Sequence, residues 1–205
     1  MQTGERLTMF APLPIETDRL LLRPFETDDV DALYEIHSDE RVVRYLYNDA
    51  RTLGEVRELL GRKIAGAVVG QEGDWLSAAV VLRHSKELVG DVSLLWGSAV
   101  HRWGELGFIF HPMHHGNGYA TEASRPMLGF AFETLGLHRV IGRAEARNVG
   151  STRVLEKLGM RREAHLVENE WVKGEWQSEF VYSMLDREWL TGSRGELLPS
   201  SPPSA

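Results

Sequence analysis

Between residues 17 and 190 the chain alternates apolar runs of strand length with longer segments of helical spacing, and in two places strands follow one another directly. "DRLLLRPF" is a short apolar run stopped by Pro24 and reads as a strand. In "TDDVDALYEIHSD", Val30, Leu33, Tyr34 and His37 share one helical face, with Asp28 and Asp29 near the positive end. "TLGEVRELLGRKIAGAVV" opens with Thr52 and Glu55 at capping-box spacing and keeps helical periodicity through positions 53, 56, 60, 64, 67 and 68. "WLSAAVVLR", "ELVGDVSLLW" and "RWGELGFIFHP" then read as three strands in series. A helix follows, marked by Ala120, Ala123, Met127, Leu128, Ala131 and Leu135, in which Pro126 removes a bond to the Glu122 carbonyl and is expected to bend the axis. "HRVIGRAEA" is a strand, and "NVGSTRVLEKLGM" a helix capped by Asn148 and ended by Gly159. "REAHLVENEWV" and "WQSEFVYSMLDREWL" read as two long closing strands around Lys173–Gly174. This order suits an α+β domain with a mostly antiparallel sheet and helices on both faces.

Residues 1–15 read as a flexible arm, 16–190 as one domain, and 191–205, rich in Pro, Ser and Gly, as a disordered tail. No internal repeat interrupts the domain. The start lacks the basic and long apolar regions of a signal peptide, and no apolar run reaches the length of a membrane span, so no membrane partner is expected. A net charge of −7 argues against nucleic acid as partner and leans towards a cationic one. The absence of cysteine excludes disulfides, thiolate metal sites and a Cys-linked acyl-enzyme, and it fits a cytoplasmic chain. A monomer or a homodimer satisfies all of this.

"HHGNGYATEA", residues 114–123, places two glycines at a helix start with His111, His114 and His115 close by. A P-loop requires Gly-Lys-Ser/Thr, but Tyr119 and Ala120 follow Gly118. A dinucleotide fingerprint requires a third glycine where Thr121 stands. Pro112 and the glycine turn break the regular geometry that a histidine metal site would use, so no metal is expected. A plain turn and an anion cradle, in which backbone N–H groups converge on a phosphate, both remain open.

The context decides between them. "TDRLLLRPF", "GELGFIFHP", "HGNGYATEA", "ARNVGSTRVLEKLGM" and "YSMLDREW" occur in order over about residues 17–190. Together they resemble the GNAT N-acetyltransferases, in the branch that acetylates the N-termini of ribosomal proteins. The resemblance implies a splayed sheet of about seven strands. It implies acetyl-CoA as co-substrate, and direct attack in a ternary complex by a primary amine, either a protein N-terminus or a small molecule. The pyrophosphate loop falls on His115, Gly116, Asn117, Gly118, Tyr119, Ala120 and Thr121, with His115 where the family usually has Arg or Gln. Pantetheine pairs with backbone at Phe108, Ile109, Phe110 and His111, and Asn148 and Ser151 lie beside it. Glu105 is the first candidate for the base that takes the amine proton, followed by Glu168 and Glu170. Leu155 stands where the family's acidic tyrosine usually does, which leaves Ser151 to serve the sulfur, with Tyr182 as a second candidate acid. Trp96, Trp103, Trp171 and Trp176 are candidates for an acceptor groove, although strand tryptophans often serve packing. Ser178 stands where the branch often has an aspartate. A non-catalytic acyl-CoA sensor on the same fold is the competing reading.

Overall fold

The computed structural model describes residues 9–10 and 13–195. The described strands are β1 (Met9–Phe10), β2 (Ile15–Glu16), β3 (Leu20–Arg23), β4 (Val68–Val69), β5 (Trp75–Leu82), β6 (Leu88–Ser98), β7 (Trp103–Phe110), β8 (Arg139–Glu145), β9 (Arg161–Val172) and β10 (Glu175–Leu185). The helices are α1 (Val30–His37), α2 (Glu40–Val43), α3 (Leu53–Ala65), α4 (Tyr119–Gly129), α5 (Val149–Lys157) and α6 (Asp186–Gly195). Eight strands form one sheet in the order β2-β3-β5-β6-β7-β8-β10-β9, and β1 pairs with β4 apart from it. Every neighbour pair in the large sheet is antiparallel except β7 with β8.

Period-two alternation sends each strand's side chains to two separate cores. On β5, Ala78, Val80 and Leu82 join Ala123, Met127 and Leu155 of α4 and α5. Ala79 and Val81 point the other way, to Leu33 and Ile36 of α1 and Val56 and Leu60 of α3. Helices therefore cover both faces, and a strand buried on both sides reads as a continuous apolar run.

Several segments differ from their sequence expectation. α3 has the expected cap, with Glu55 accepting from the Thr52 N–H at 2.7 Å, but it ends at Ala65 with Gly66 as its C-cap. Position 67 lies outside the helix and Val68 belongs to β4. On α1 the buried face uses Ile36 with Leu33 and His37, and Tyr34 lies towards solvent. α4 runs in α form past Pro126 to Gly129, and a π-helical turn continues it over Phe130–Thr134. The last strand stops at Leu185, and "DREWL" is the start of α6. Glu188 accepts from the Leu185 N–H at 2.8 Å and so supplies the turn with a partner that a strand would lack. Trp189 stacks on Phe132 and donates to Glu133 at 2.7 Å. α6 carries the fold into the segment expected to be tail, as far as Gly195, and residues 196–205 lie outside the described residues. Within the expected arm, Met9–Phe10 pairs with Val68–Val69, and its last residue, Ile15, pairs with Leu22 as the start of β2.

Candidate active site

β7 and β8 are paired at Trp103–Arg139, Gly104–Val140 and Glu105–Ile141, and there the ladder ends. Both strands continue, to Phe110 and Glu145, without pairing further with each other. The other edge of β7 remains bonded to β6 up to Phe110. The edge of β7 facing the gap is therefore a row of backbone groups without a strand partner.

A cleft of about 570 Å³ opens at this fork. Its floor is one face of the sheet: Ser77, Asp91 and Ser93, then Glu105, Gly107 and Ile109, then Arg143 and Glu145. Alternation places Glu105, Gly107 and Ile109 together, as the sequence suggested. Tyr45 and Tyr47 from the loop after α2, Lys63 from α3, and Glu170 and Glu179 from the closing hairpin form walls. Five carboxylates line it (Asp91, Glu105, Glu145, Glu170 and Glu179) against three cations, Arg62, Lys63 and Arg143. The cleft thus carries an excess of negative charge.

Arg143 sits between two of these carboxylates, its Nη1 2.9 Å from Glu179 and its Nε 3.6 Å from Glu105. Burial pushes the Glu105 carboxyl above its ordinary range, Arg143 pulls it back, and the nearby Glu179 pushes it up again. Burial raises Glu179 in the same way. Glu170 accepts from the Tyr47 hydroxyl at 2.6 Å, and Lys173 donates to the Val43 carbonyl at 2.6 Å. These two bonds tie the end of α2 and the loop after it to the β9–β10 hairpin. At the inner end Lys63 pairs with buried Asp91 at 2.8 Å.

Asn148 accepts from the Ser151 N–H at 3.1 Å and caps α5. Both residues line the cleft, with Ser151 half-buried. Leu155 is 1% exposed and faces the opposite core, where its Cδ2 occupies the space a Cβ on Gly142 would need.

The glycine loop adopts the backbone that its sequence permits. Gly116 and Gly118 have φ of +82° and +81°, a region that disfavours other residues. Gly118 is the N-cap of α4 and offers no side chain to the helix. Among the described residues, no protein acceptor takes the backbone N–H groups of residues 116–121; the first bonded one is Glu122, to the Gly118 carbonyl at 3.0 Å. His115 donates to the Phe110 carbonyl at 2.9 Å, which fastens the loop to the end of β7. His111 accepts from Met113 N–H, and His114 donates to Glu87. The three histidines thus have three separate partners, and the described residues hold no cluster that could bind a metal.

Several expected site residues lie elsewhere. Tyr182 is 1% exposed and donates to Glu156 at 3.0 Å, away from the cleft, so it is not a candidate acid. Glu168 points to solvent outside the cleft lining, in a φ of +48° bulge tied by Ser178. None of the four expected tryptophans lines the cleft. Trp96 packs into the opposite core, and Trp103 fills the space beside Gly97. Trp171 and Trp176 form an exposed edge-to-face pair on the closing hairpin. Trp75, Tyr45 and Tyr47 take the aromatic positions instead. Sequence reading also missed Arg143, whose place at the fork depends on the β7–β8 register.

A splayed α+β sheet, a free strand edge at the fork and a glycine loop on a helix start define an acyl-CoA-dependent transferase. A family model described as "Acetyltransferase (GNAT) domain" matches residues 19–161, and the chain belongs to that family. The uncharacterised N-acetyltransferase YnaD of Bacillus subtilis is 32% identical over 176 residues, 85% of this chain and 98% of the relative. The spermidine N(1)-acetyltransferase of Vibrio cholerae is 25% identical over 176 residues, again 85% of this chain and 98% of the relative. The crystal structure of a GNAT acetyltransferase from Bacillus anthracis superposes with a TM-score of 0.76 at 31% identity, covering 85% of this chain and 99% of that one. The chain is an acyl-CoA-dependent N-acetyltransferase. No helix among the described residues is long and apolar enough to cross a membrane.

Proposed function

We propose that the chain acetylates a small, positively charged primary amine, with acetyl-CoA as donor and Glu105 as the base. The observation that carries this reading is the position of Glu105, on the last paired residue of the fork and inside a cleft with more carboxylates than cations. Such a cleft concentrates ammonium ions. The two bonds that tie the end of α2 and the loop after it to the closing hairpin narrow its rim and favour a small acceptor over a folded protein's N-terminus. The V. cholerae relative named for spermidine supports the same acceptor class.

The residues present fit the coenzyme. Six backbone N–H groups without an acceptor among the described residues, at a helix start, suit a pyrophosphate. The edge of β7 that faces the gap beyond Glu105 suits the amides of pantetheine around Phe108, whereas His111, expected to share this role, has its N–H on the Val89 carbonyl and its carbonyl on the His114 N–H; Asn148 and Ser151 stand at the inner end of the gap. Bound there, acetyl-CoA supplies an activated acetyl group. An ammonium has no lone pair, so Glu105 first accepts its proton, directly or through one water. Burial raises its pKa, which makes it a better proton acceptor than an exposed carboxylate, and Arg143 acts against that rise. Ser151, which lines the cleft at the inner end of the fork, then hydrogen-bonds the departing sulfur.

The test is an acceptor screen that follows CoA thiol release over polyamines, aminoglycosides and peptides beginning with Ala or Ser. Turnover is expected with the small amines. Turnover confined to peptides overturns the acceptor class, and CoA binding without turnover on any amine overturns the enzyme reading.

A further inference from the structure

The "TDR" segment at residues 17–19, which begins the family resemblance, has no role in the cleft. In the fold it reaches about a hundred residues ahead to the first turn of α4. The Thr17 hydroxyl donates to Glu122 at 2.6 Å, the Arg19 N–H at 2.9 Å and the Arg19 Nε at 2.7 Å. Arg19 Nη1 donates to the Asn117 carbonyl at 2.9 Å, inside the glycine loop. The guanidinium lies over the Tyr119 ring, 4.7 Å from its centroid. Its Nη2 is 3.6 Å from where a Cβ on Gly118 would stand.

Two features of the loop make this placement informative. The loop's own basic residue, His115, is turned away from the loop to the Phe110 carbonyl. Glu122, one turn into α4, brings a carboxylate to the mouth of an anion site; its hydrogen bonds to Thr17 and Arg19 outweigh its burial and hold it below the ordinary carboxylate range, hence ionised. A bare carboxylate there repels a phosphate. Arg19 cancels that charge, and three of its five N–H groups satisfy protein acceptors. Its side chain is 49% exposed, and its Nη2 stands next to Gly118 at the start of α4, so two N–H donors remain beside the loop.

We propose that Arg19 is a coenzyme-binding residue: it braces the glycine loop through Asn117 and Glu122, neutralises the carboxylate that would repel the coenzyme's pyrophosphate, and offers the pyrophosphate its remaining N–H donors. The proposal rests on the coenzyme reading of the loop. Arg is suited to the role because its planar fork bonds two groups at once and retains charge at any working pH.

Calorimetry on Arg19→Met with two ligands, CoA and phosphate-free pantetheine, tests it. Wild-type chain that fails to bind CoA overturns the coenzyme reading and this proposal together. With wild-type binding established, Arg19→Met is expected to weaken CoA at least tenfold and to leave pantetheine within twofold. Unchanged CoA affinity overturns the assignment, and so does an equal loss for both ligands, which marks a residue that only shapes the fold. Binding of 3′-dephospho-CoA identifies the phosphate: an equal loss on it places Arg19 at the pyrophosphate, and a loss confined to CoA overturns that placement. If Arg19→Met does not fold, Arg19→Lys is measured with the same ligands. Loss of the fork then weakens CoA several-fold and spares pantetheine, and an unchanged CoA affinity overturns the proposal.

Discussion

Glu105 and Ile141 are the last residues paired between β7 and β8. The candidate base therefore sits where two strands stop bonding each other, with Arg143 two residues on from Ile141 reaching back to it. Register at this one point decides which side chains share the fork.

Gly118 is expected to be intolerant of a side chain. Its φ of +81° strains a β-branched residue by roughly 1–3 kcal/mol, and an added Cβ would stand 3.6 Å from the Arg19 Nη2 with branches beyond it. Gly118→Val should lose CoA binding by more than tenfold on a folded chain. Gly116→Ala, whose added carbon meets open space, should lose less. Calorimetry that finds equal affinities for wild type and Gly118→Val removes the loop from the coenzyme site.

Replacing Leu155 with the family's usual tyrosine should not restore an acid. Leu155 is buried against Gly142 in the core opposite the cleft, so Leu155→Tyr overpacks it and costs about 1–3 kcal/mol. Denaturant unfolding should show the loss, with no gain in kcat. A stable, faster variant would mean that the helix can turn this position towards the sulfur.

The buried pair Lys63–Asp91 gives a stability prediction. Lys63→Met leaves a carboxylate with no cation and should cost about 3–5 kcal/mol. Adding Asp91→Leu should recover most of it, because burying neither charge avoids the desolvation. Two independent, additive losses would show that the pair does not interact.

His37 gives a pH prediction. It is 3% exposed, neither ring nitrogen has a partner among the described residues, and burial lowers its pKa from 6.5 to about 4. The folded state thus resists a proton that the unfolded chain accepts below pH 6.5. Stability is full above that value and falls as pH drops from 6.5 towards 4, by roughly 3 kcal/mol in total. His37→Phe should flatten this part of the melting curve against pH. A variant with the same slope as wild type assigns the acid sensitivity to other groups.

Some of the fold was legible and some was not, for physical reasons. β5, β6 and β7 declare themselves by apolar runs punctuated by turns, and the caps of α3 and α5 by Thr52, Glu55 and Asn148. The start of α6 did not, because Trp189 and Leu190 extend the apolar content of β10, and only the Leu185–Glu188 bond and the Phe132 contact make it helical. Alternation along β7 placed Glu105 beside Gly107 and Ile109, since side is a local property. It gave no access to Arg143, Tyr47 or Arg19, whose positions come from pairing and contacts across distant parts of the chain. The tryptophans misled for the same reason: bulk in a strand marks burial, and only the fold says which face.

The most direct test of the account is the pH–rate profile of Glu105→Gln with the best acceptor from the screen. The substitution keeps shape and removes basicity. The account predicts a fall in kcat of about 10²–10⁴ at neutral pH, with CoA affinity and melting temperature close to wild type. It also predicts that the wild-type acid limb, set by a carboxyl raised above its usual range by burial, disappears, and that the deficit shrinks as rising pH frees the amine without help. A variant with near-normal kcat at neutral pH and an unchanged acid limb would contradict the account and move the base to Glu170 or Glu179.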